Sequence, residues 1–170
     1  PWCATFPAAD GFNRDVSAAA VAAGSDRIIE RIDADGGDFI HPDFGSDPRY
    51  GIPYVVVPAA QPGVPIRFGA YGDESDPGPY PVPPGAPIEG GRRSDGDRHV
   101  LVVRRPRSPG GDCRLFELYR GRELGGAGNA WSADSGATFD LGAPLAGQRP
   151  DGWTSAAAAG LPIYPGLVTY

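Results

Sequence analysis

Lysine and methionine are absent from this chain, histidine and cysteine occur only twice each, and no apolar run is long enough to cross a bilayer. Each shortage excludes something. A membrane-spanning helix needs roughly 18 or more consecutive apolar residues, so none is expected. Without lysine, all fifteen basic residues are arginine, and they face 21 acids for a net charge of −6. That balance argues against a nonspecific nucleic-acid or anionic-membrane binder, because such binding rests on clustered positive charge. Arg92-Arg93 and Arg104-Arg105-Pro106-Arg107 are short basic clusters, but Asp95, Asp97 and Asp112 stand close by, and the clusters read as solvated loop charge. Cys3 and Cys113 have neither zinc-knuckle nor redox-pair spacing. A chain that starts at Pro1 is expected to be a processed or excised form.

Gly (26) and Pro (20) are abundant, without the period of a collagen. The acids are sixteen Asp against five Glu, and Asp prefers turns and caps where Glu prefers helix interiors. A loop-rich, strand-rich single domain over residues 1–170 is expected, of a size that buries a core without external staples. Ser25 is a plausible N-cap for a helix through Ile32, with Ile28, Ile29 and Ile32 on one face and Gly36-Gly37 closing it. Tyr54 to Val57 is a β-branched run, and Val64, Ile66, Phe68 and Ala70 alternate with less apolar neighbours. Tyr71 to Gly91 is rich in Pro and acid and predicts a long loop, since each Pro removes a ladder donor.

The clearest supersecondary signal is a hairpin. His99 to Arg105 and Cys113 to Arg120 supply two apolar arms, and Ser108-Pro109-Gly110-Gly111 supplies turn chemistry between them. The continuous run Val100 to Val103 predicts a central strand buried on both faces. A further strand is expected around Ala137, Phe139 and Leu141, and Thr154 or Ser155 is placed to cap a short Ala156 to Ala159 helix. Short strands between turn signals predict a mainly β fold, an antiparallel β-sandwich or jelly roll with one or two short helices. Pairing of Cys3 with Cys113 would close a loop of more than 100 residues and imply an oxidising, extracytoplasmic location.

The two histidines sit in mirrored triplets, His41-Pro42-Asp43 and Asp97-Arg98-His99. On extended backbone, residues two apart point the same way, so each triplet is expected to present an imidazole beside a carboxylate. An oriented histidine is a competent base near neutral pH, with Tyr119 or Tyr54 as acid and Arg98 to neutralise a substrate carboxylate. His41, Asp43, Asp97 and His99 together would also suit a divalent metal such as zinc, manganese or iron, although the spacing matches no known metal motif. Asp73, Glu74, Asp76, Glu89 and Glu117 are available as paired carboxylates for glycoside chemistry. Tyr80, Trp131 and Trp153 offer planar surfaces for sugar, or packing for a core. The expected function is an extracytoplasmic polysaccharide hydrolase or lyase, with a noncatalytic glycan-binding or structural envelope module as the alternative.

The motifs His41-Pro42-Asp43-Phe44-Gly45, Gly51-Ile52-Pro53-Tyr54-Val55-Val56-Val57, Asp73-Glu74-Ser75-Asp76-Pro77-Gly78-Pro79-Tyr80-Pro81, Gly96-Asp97-Arg98-His99-Val100-Leu101-Val102-Val103 and Arg149-Pro150-Asp151-Gly152-Trp153-Thr154-Ser155 stand in this order. In these the chain resembles a group of secreted bacterial proteins over roughly residues 38–168. The resemblance implies secretion and carries no activity. Relatives have an acidic residue where Ala157 stands, and they continue past Pro165-Gly166-Leu167-Val168 with an acidic pair and further strands. The resemblance therefore implies a C-terminal truncation at Tyr170.

Overall fold

A computed structural model describes residues 3–36, 51–108, 110–125 and 128–168. The fold is mainly β. Four strands, β1 (Tyr54–Val57), β3 (Val100–Arg104), β4 (Arg114–Tyr119) and β7 (Ser135–Asp140), form one sheet in the order β1-β3-β4-β7. A smaller sheet joins β2 (Ile66–Phe68), β6 (Ala130–Ala133) and β5 (Arg122–Leu124) in the order β2-β6-β5. The expected hairpin is β3 and β4, antiparallel with Val102 opposite Phe116. As its apolar run implied, β3 lies in the interior of the sheet.

Both sheets are mixed: three of the five described strand pairs are antiparallel, as expected of most, and two are parallel. β1 runs parallel to β3 and β2 parallel to β6. A parallel pair needs a long crossover, usually a helix. Here the irregular, proline-rich chain between β1 and β3 is long enough to return to the same end of the sheet without one.

Alternation along β3 and β4 divides the core in two. Val100, Val102, Phe116 and Leu118 face Trp131 and Ala133 of β6 and the buried Tyr80 and Val82. Val103, Leu115, Ala137, Phe139 and Leu141 face the N-terminal segment through Phe6 and Cys113. Phe6 N–H donates to Leu141 O at 2.8 Å, and Asp10 accepts from Leu145 N at 2.8 Å. Cys3 and Cys113 form the expected disulfide, with Cα atoms 5.8 Å apart.

The helix α1 (Ser25–Ala34) forms where expected, although Gly24, not Ser25, occupies the N-cap position. Its stripe of Ile28, Ile29 and Ile32 is 61%, 53% and 47% exposed, so it contributes nothing to the described core. The second helix, at 156–159, does not form. Ser155 accepts from Ala157 N through its hydroxyl, but Ala158 turns left-handed at φ 63, which ends the single turn.

Gly136 on β7 shows how closely the first core is packed. A Cβ there would lie 2.7 Å from both Phe68 Cε1 and the Tyr80 hydroxyl, and Tyr80 is fully buried and hydrogen-bonded to Asp76 O. Phe68 is half-buried, but Tyr80 cannot retreat without disturbing that hydrogen bond and the packed core around it. Gly136→Ala is expected to destabilise by about 1–3 kcal/mol, read as a lower urea midpoint with an unchanged slope. An unchanged midpoint would show that the rings can shift freely.

Candidate functional site

The triplet Asp97-Arg98-His99 lies at the entrance to β3, and Arg98 decides its geometry. Arg98 adopts φ 53, a left-handed conformation that few side chains tolerate. Its guanidinium is turned inward. Nε donates to Gly121 O at 3.2 Å, and Nη1 donates to Ser94 O at 2.7 Å and Arg92 O at 2.9 Å. At 2% exposure it fastens the 91–98 turn to the chain after β4 and is not displayed to a substrate carboxylate.

The same left-handed residue breaks the alternation behind the expected Asp97–His99 pairing. Asp97 is exposed, and the carboxylate that holds His99 belongs to Glu89. His99 Nδ1 lies 2.6 Å from Glu89 Oε2, which also accepts the His99 backbone N–H at 3.2 Å. His99 Nε2 lies 3.0 Å from Ala156 O. A carbonyl can only accept, so Nε2 is the donor in that contact, while Nδ1 is held by the Glu89 carboxylate. Both ring nitrogens are engaged. As folded, His99 presents no lone pair to a ligand.

Register places the rest of the site. Leu101 stands opposite Glu117, Glu117 opposite Ala137, and Tyr119 opposite Ser135, so these residues share the face that carries Leu115 and Phe139. Glu117 is completely buried. Its carboxylate accepts from Ile163 N at 2.9 Å and Tyr164 N at 2.8 Å. Burial pushes its pKa up to about 7, against the opposing pull of those two amides, His99 and Arg149. Tyr119 is half-buried, its ring 5.8 Å from that of His99, and among the described residues no group hydrogen-bonds its hydroxyl. His99, Tyr119 and Ser135 border a cleft of about 430 Å³, also lined by Tyr71, Asp97, Thr154 and Ile163, while Glu117 lies outside its lining.

The remaining expected site residues separate. Trp131 is fully buried, and its Nε1 has no hydrogen-bond partner among the described residues. Tyr80 is also fully buried, donating to Asp76 O at 3.0 Å, and burial raises its phenol above the usual value. Both pack the core, where a sugar would not reach them. Trp153 is half-buried and lines a different cleft, of about 490 Å³. It lies against Arg149, whose guanidinium pairs with Asp76 at 2.5 Å and donates to Glu74 O at 2.7 Å. The acidic stretch 73–76 is thus partly a structural clamp: Asp76 also accepts from Thr138 N at 2.7 Å on β7.

His41 and Asp43 lie outside the described residues, so the expected approach of the two histidines is not part of the described structure. Among the described residues no group of three His, Cys, Asp or Glu side chains is arranged to hold a metal ion. Glu89 and Glu117 entered the sequence reading only as two of several carboxylates. For Glu117 a sharper signal existed: one acid between Phe116 and Leu118 in an apolar strand has to be buried if the strand is central. No protein-family model matches the chain, nor does any curated protein or solved structure.

Proposed function

We propose that the protein is an extracytoplasmic, noncatalytic glycan-binding module whose ligand lies in the cleft between Tyr71, Tyr119, Asp97 and Thr154. The observation that carries this reading is the engagement of both His99 nitrogens, which leaves the cleft with tyrosine faces and polar side chains but no free imidazole. Tyrosine suits a sugar because one ring offers both an apolar face and a hydrogen-bonding tip. The disulfide supports an oxidising compartment, and no described helix is long and apolar enough to cross a membrane. The resemblance to secreted bacterial proteins points the same way.

Calorimetric titration against a panel of neutral and acidic oligosaccharides tests the proposal. Tyr71→Ala is expected to weaken binding about tenfold, equivalent to about 1.4 kcal/mol, and Tyr119→Phe to weaken it by about 1 kcal/mol through the lost hydroxyl. Wild-type affinity in both variants, or no ligand in the panel, would sink it. A second reading, acid–base hydrolysis or elimination at the same cleft, is favoured by the Glu89–His99 pair beside Tyr119. Release of reducing ends or unsaturated sugars, lost in Tyr119→Phe, would establish that reading instead.

A further inference from the structure

The small sheet carries a row of positive charge on its outer face. Register sets Arg67 of β2 and Arg122 of β5 on either side of Ser132 of β6. Residues paired across neighbouring strands point to the same face, so these three stand together, while Ile66, Phe68, Trp131 and Ala133 turn to the core. Arg67 and Arg122 are exposed. With strands about 4.8 Å apart, their Cα atoms flank a gap of about 10 Å, which two long guanidinium side chains can close onto one anion. Arg120, just after β4, turns left-handed at φ 54 and brings a third guanidinium to the same groove, of about 440 Å³.

This charge is largely unneutralised. Among the described residues Arg67 and Arg122 form no ion pair, and the one acid in the lining, Asp134, lies 3.4 Å from Arg120. Glu123, beside Arg122 on β5, alternates to the opposite face and pairs there with Arg92. The groove thus holds three cations against one acid on a chain whose net charge is −6. Like charges sharing one face of a sheet are unfavourable, and an anion bound between them relieves that cost.

The groove adjoins the 430 Å³ cleft. Tyr119 and Ser135 line the cleft, their chain neighbours Arg120 and Asp134 line the groove, and Tyr71 of the cleft donates its N–H to Asp134 O at 2.8 Å.

We propose that the groove of Arg67, Arg120 and Arg122 binds the carboxylate or sulfate group of an acidic glycan whose neighbouring sugar occupies the cleft. Naming the ligand a glycan rests on the reading above; the anion site itself does not. Arginine suits both groups, because its planar fork donates two parallel N–H bonds to a pair of oxygens, and the Ser132 hydroxyl offers a further donor between the forks. A nucleic acid would call for a longer track of positive charge, whereas the adjoining cleft adds Asp97 and no arginine.

The test measures affinity for size-matched probes: oligogalacturonate for carboxylate, sulfated oligodextran for sulfate, plain oligodextran for neutral sugar, and an oligodeoxynucleotide of equal charge. At low salt one or both charged oligosaccharides are expected to bind about tenfold more tightly than the neutral one, and added salt should shrink that advantage. Arg67→Gln and Arg122→Gln should each weaken the charged probe about three- to tenfold, and the double variant should bind charged and neutral probes alike. Arg14→Gln makes the same charge change on the exposed N-terminal segment and should leave the affinity as it is. The side chains are all exposed, so Tm should hold in every variant. No binding of either charged oligosaccharide would overturn the proposal, as would charged and neutral probes bound equally by the wild type. So would an advantage that persists in the double variant or falls equally in Arg14→Gln, or equal binding of the oligodeoxynucleotide. Tyr71→Ala tells the two readings apart. Charged binding that needs the arginines but not Tyr71 would keep the anion site and remove the sugar from the cleft, while neutral binding that needs Tyr71, with no effect of charge, would do the reverse.

Discussion

Val102→Asp should leave no folded protein. Val102 is 1% exposed in the interior of the four-stranded sheet, flanked in register by Val55 of β1 and Phe116 of β4, and packed in the cluster with Trp131, Val100 and Leu118. The nearest cation along its strand, Arg104, lies over the Phe116 ring at 5.0 Å, and that contact would have to break to follow a new carboxylate inward. A buried charge without a partner costs about 3–5 kcal/mol or more, against a total stability of about 5–15 kcal/mol for a typical domain. Val102→Thr separates charge from shape: its unbonded hydroxyl should cost about 1–3 kcal/mol and still leave a cooperative thermal transition. Circular dichroism of the two variants checks both. A native-like transition in Val102→Asp would show that this face of the sheet admits water.

Loss of the Cys3–Cys113 bridge is expected to have the next largest effect. It closes a loop of 110 residues, for which restriction of the unfolded chain gives about 4 to 5 kcal/mol, with measured bridges giving about 2–5 kcal/mol. The bridge also ties the segment carrying Phe6 and Asp10 over Leu115, Phe139 and Leu141. Replacing both cysteines by alanine should therefore lower stability by several kcal/mol and make the N-terminal residues susceptible to proteolysis under native conditions. Thiol titration of the denatured, unreduced wild type should find no free thiol. Two titratable thiols, or a double variant as stable as the wild type, would remove the bridge from the account of this fold.

Much of the framework was legible along the chain, because its causes are local. The β-branched run at 54–57, the apolar arms on either side of Ser108-Pro109-Gly110-Gly111, and the presence of α1, though not its cap, follow from periodicity and turn chemistry within a few residues. The cysteine pairing was legible for a different reason: with only two in the chain, no other intrachain bridge exists. The Ala156 to Ala159 tract failed as a helix although its composition suits one. Its backbone is instead spent on side chains reaching up from the sheet, His99 to Ala156 O and Ser135 to Ser155 O.

The site was half legible. His99 and Tyr119 were identified from residue type and do border one cleft, but the partners assigned to His99 by spacing were not the ones it has. Spacing rules assume extended backbone, and one left-handed residue, Arg98, voids that assumption at the position that mattered.

By itself, then, the sequence determined the strand-rich class, the central hairpin, the single helix start and the disulfide, since each depends on neighbours in the chain or on a count. Only the tertiary structure decided that β1 pairs in parallel with β3 and β2 with β6, that Glu89 takes His99 while Asp97 faces solvent, that Trp131 and Tyr80 are core, and that Glu117 meets the amides of Ile163 and Tyr164. Those outcomes depend on which groups are removed from water together. Desolvation is a property of the packed molecule: it turns Glu117 from one acid among twenty-one into a carboxyl with a pKa of about 7.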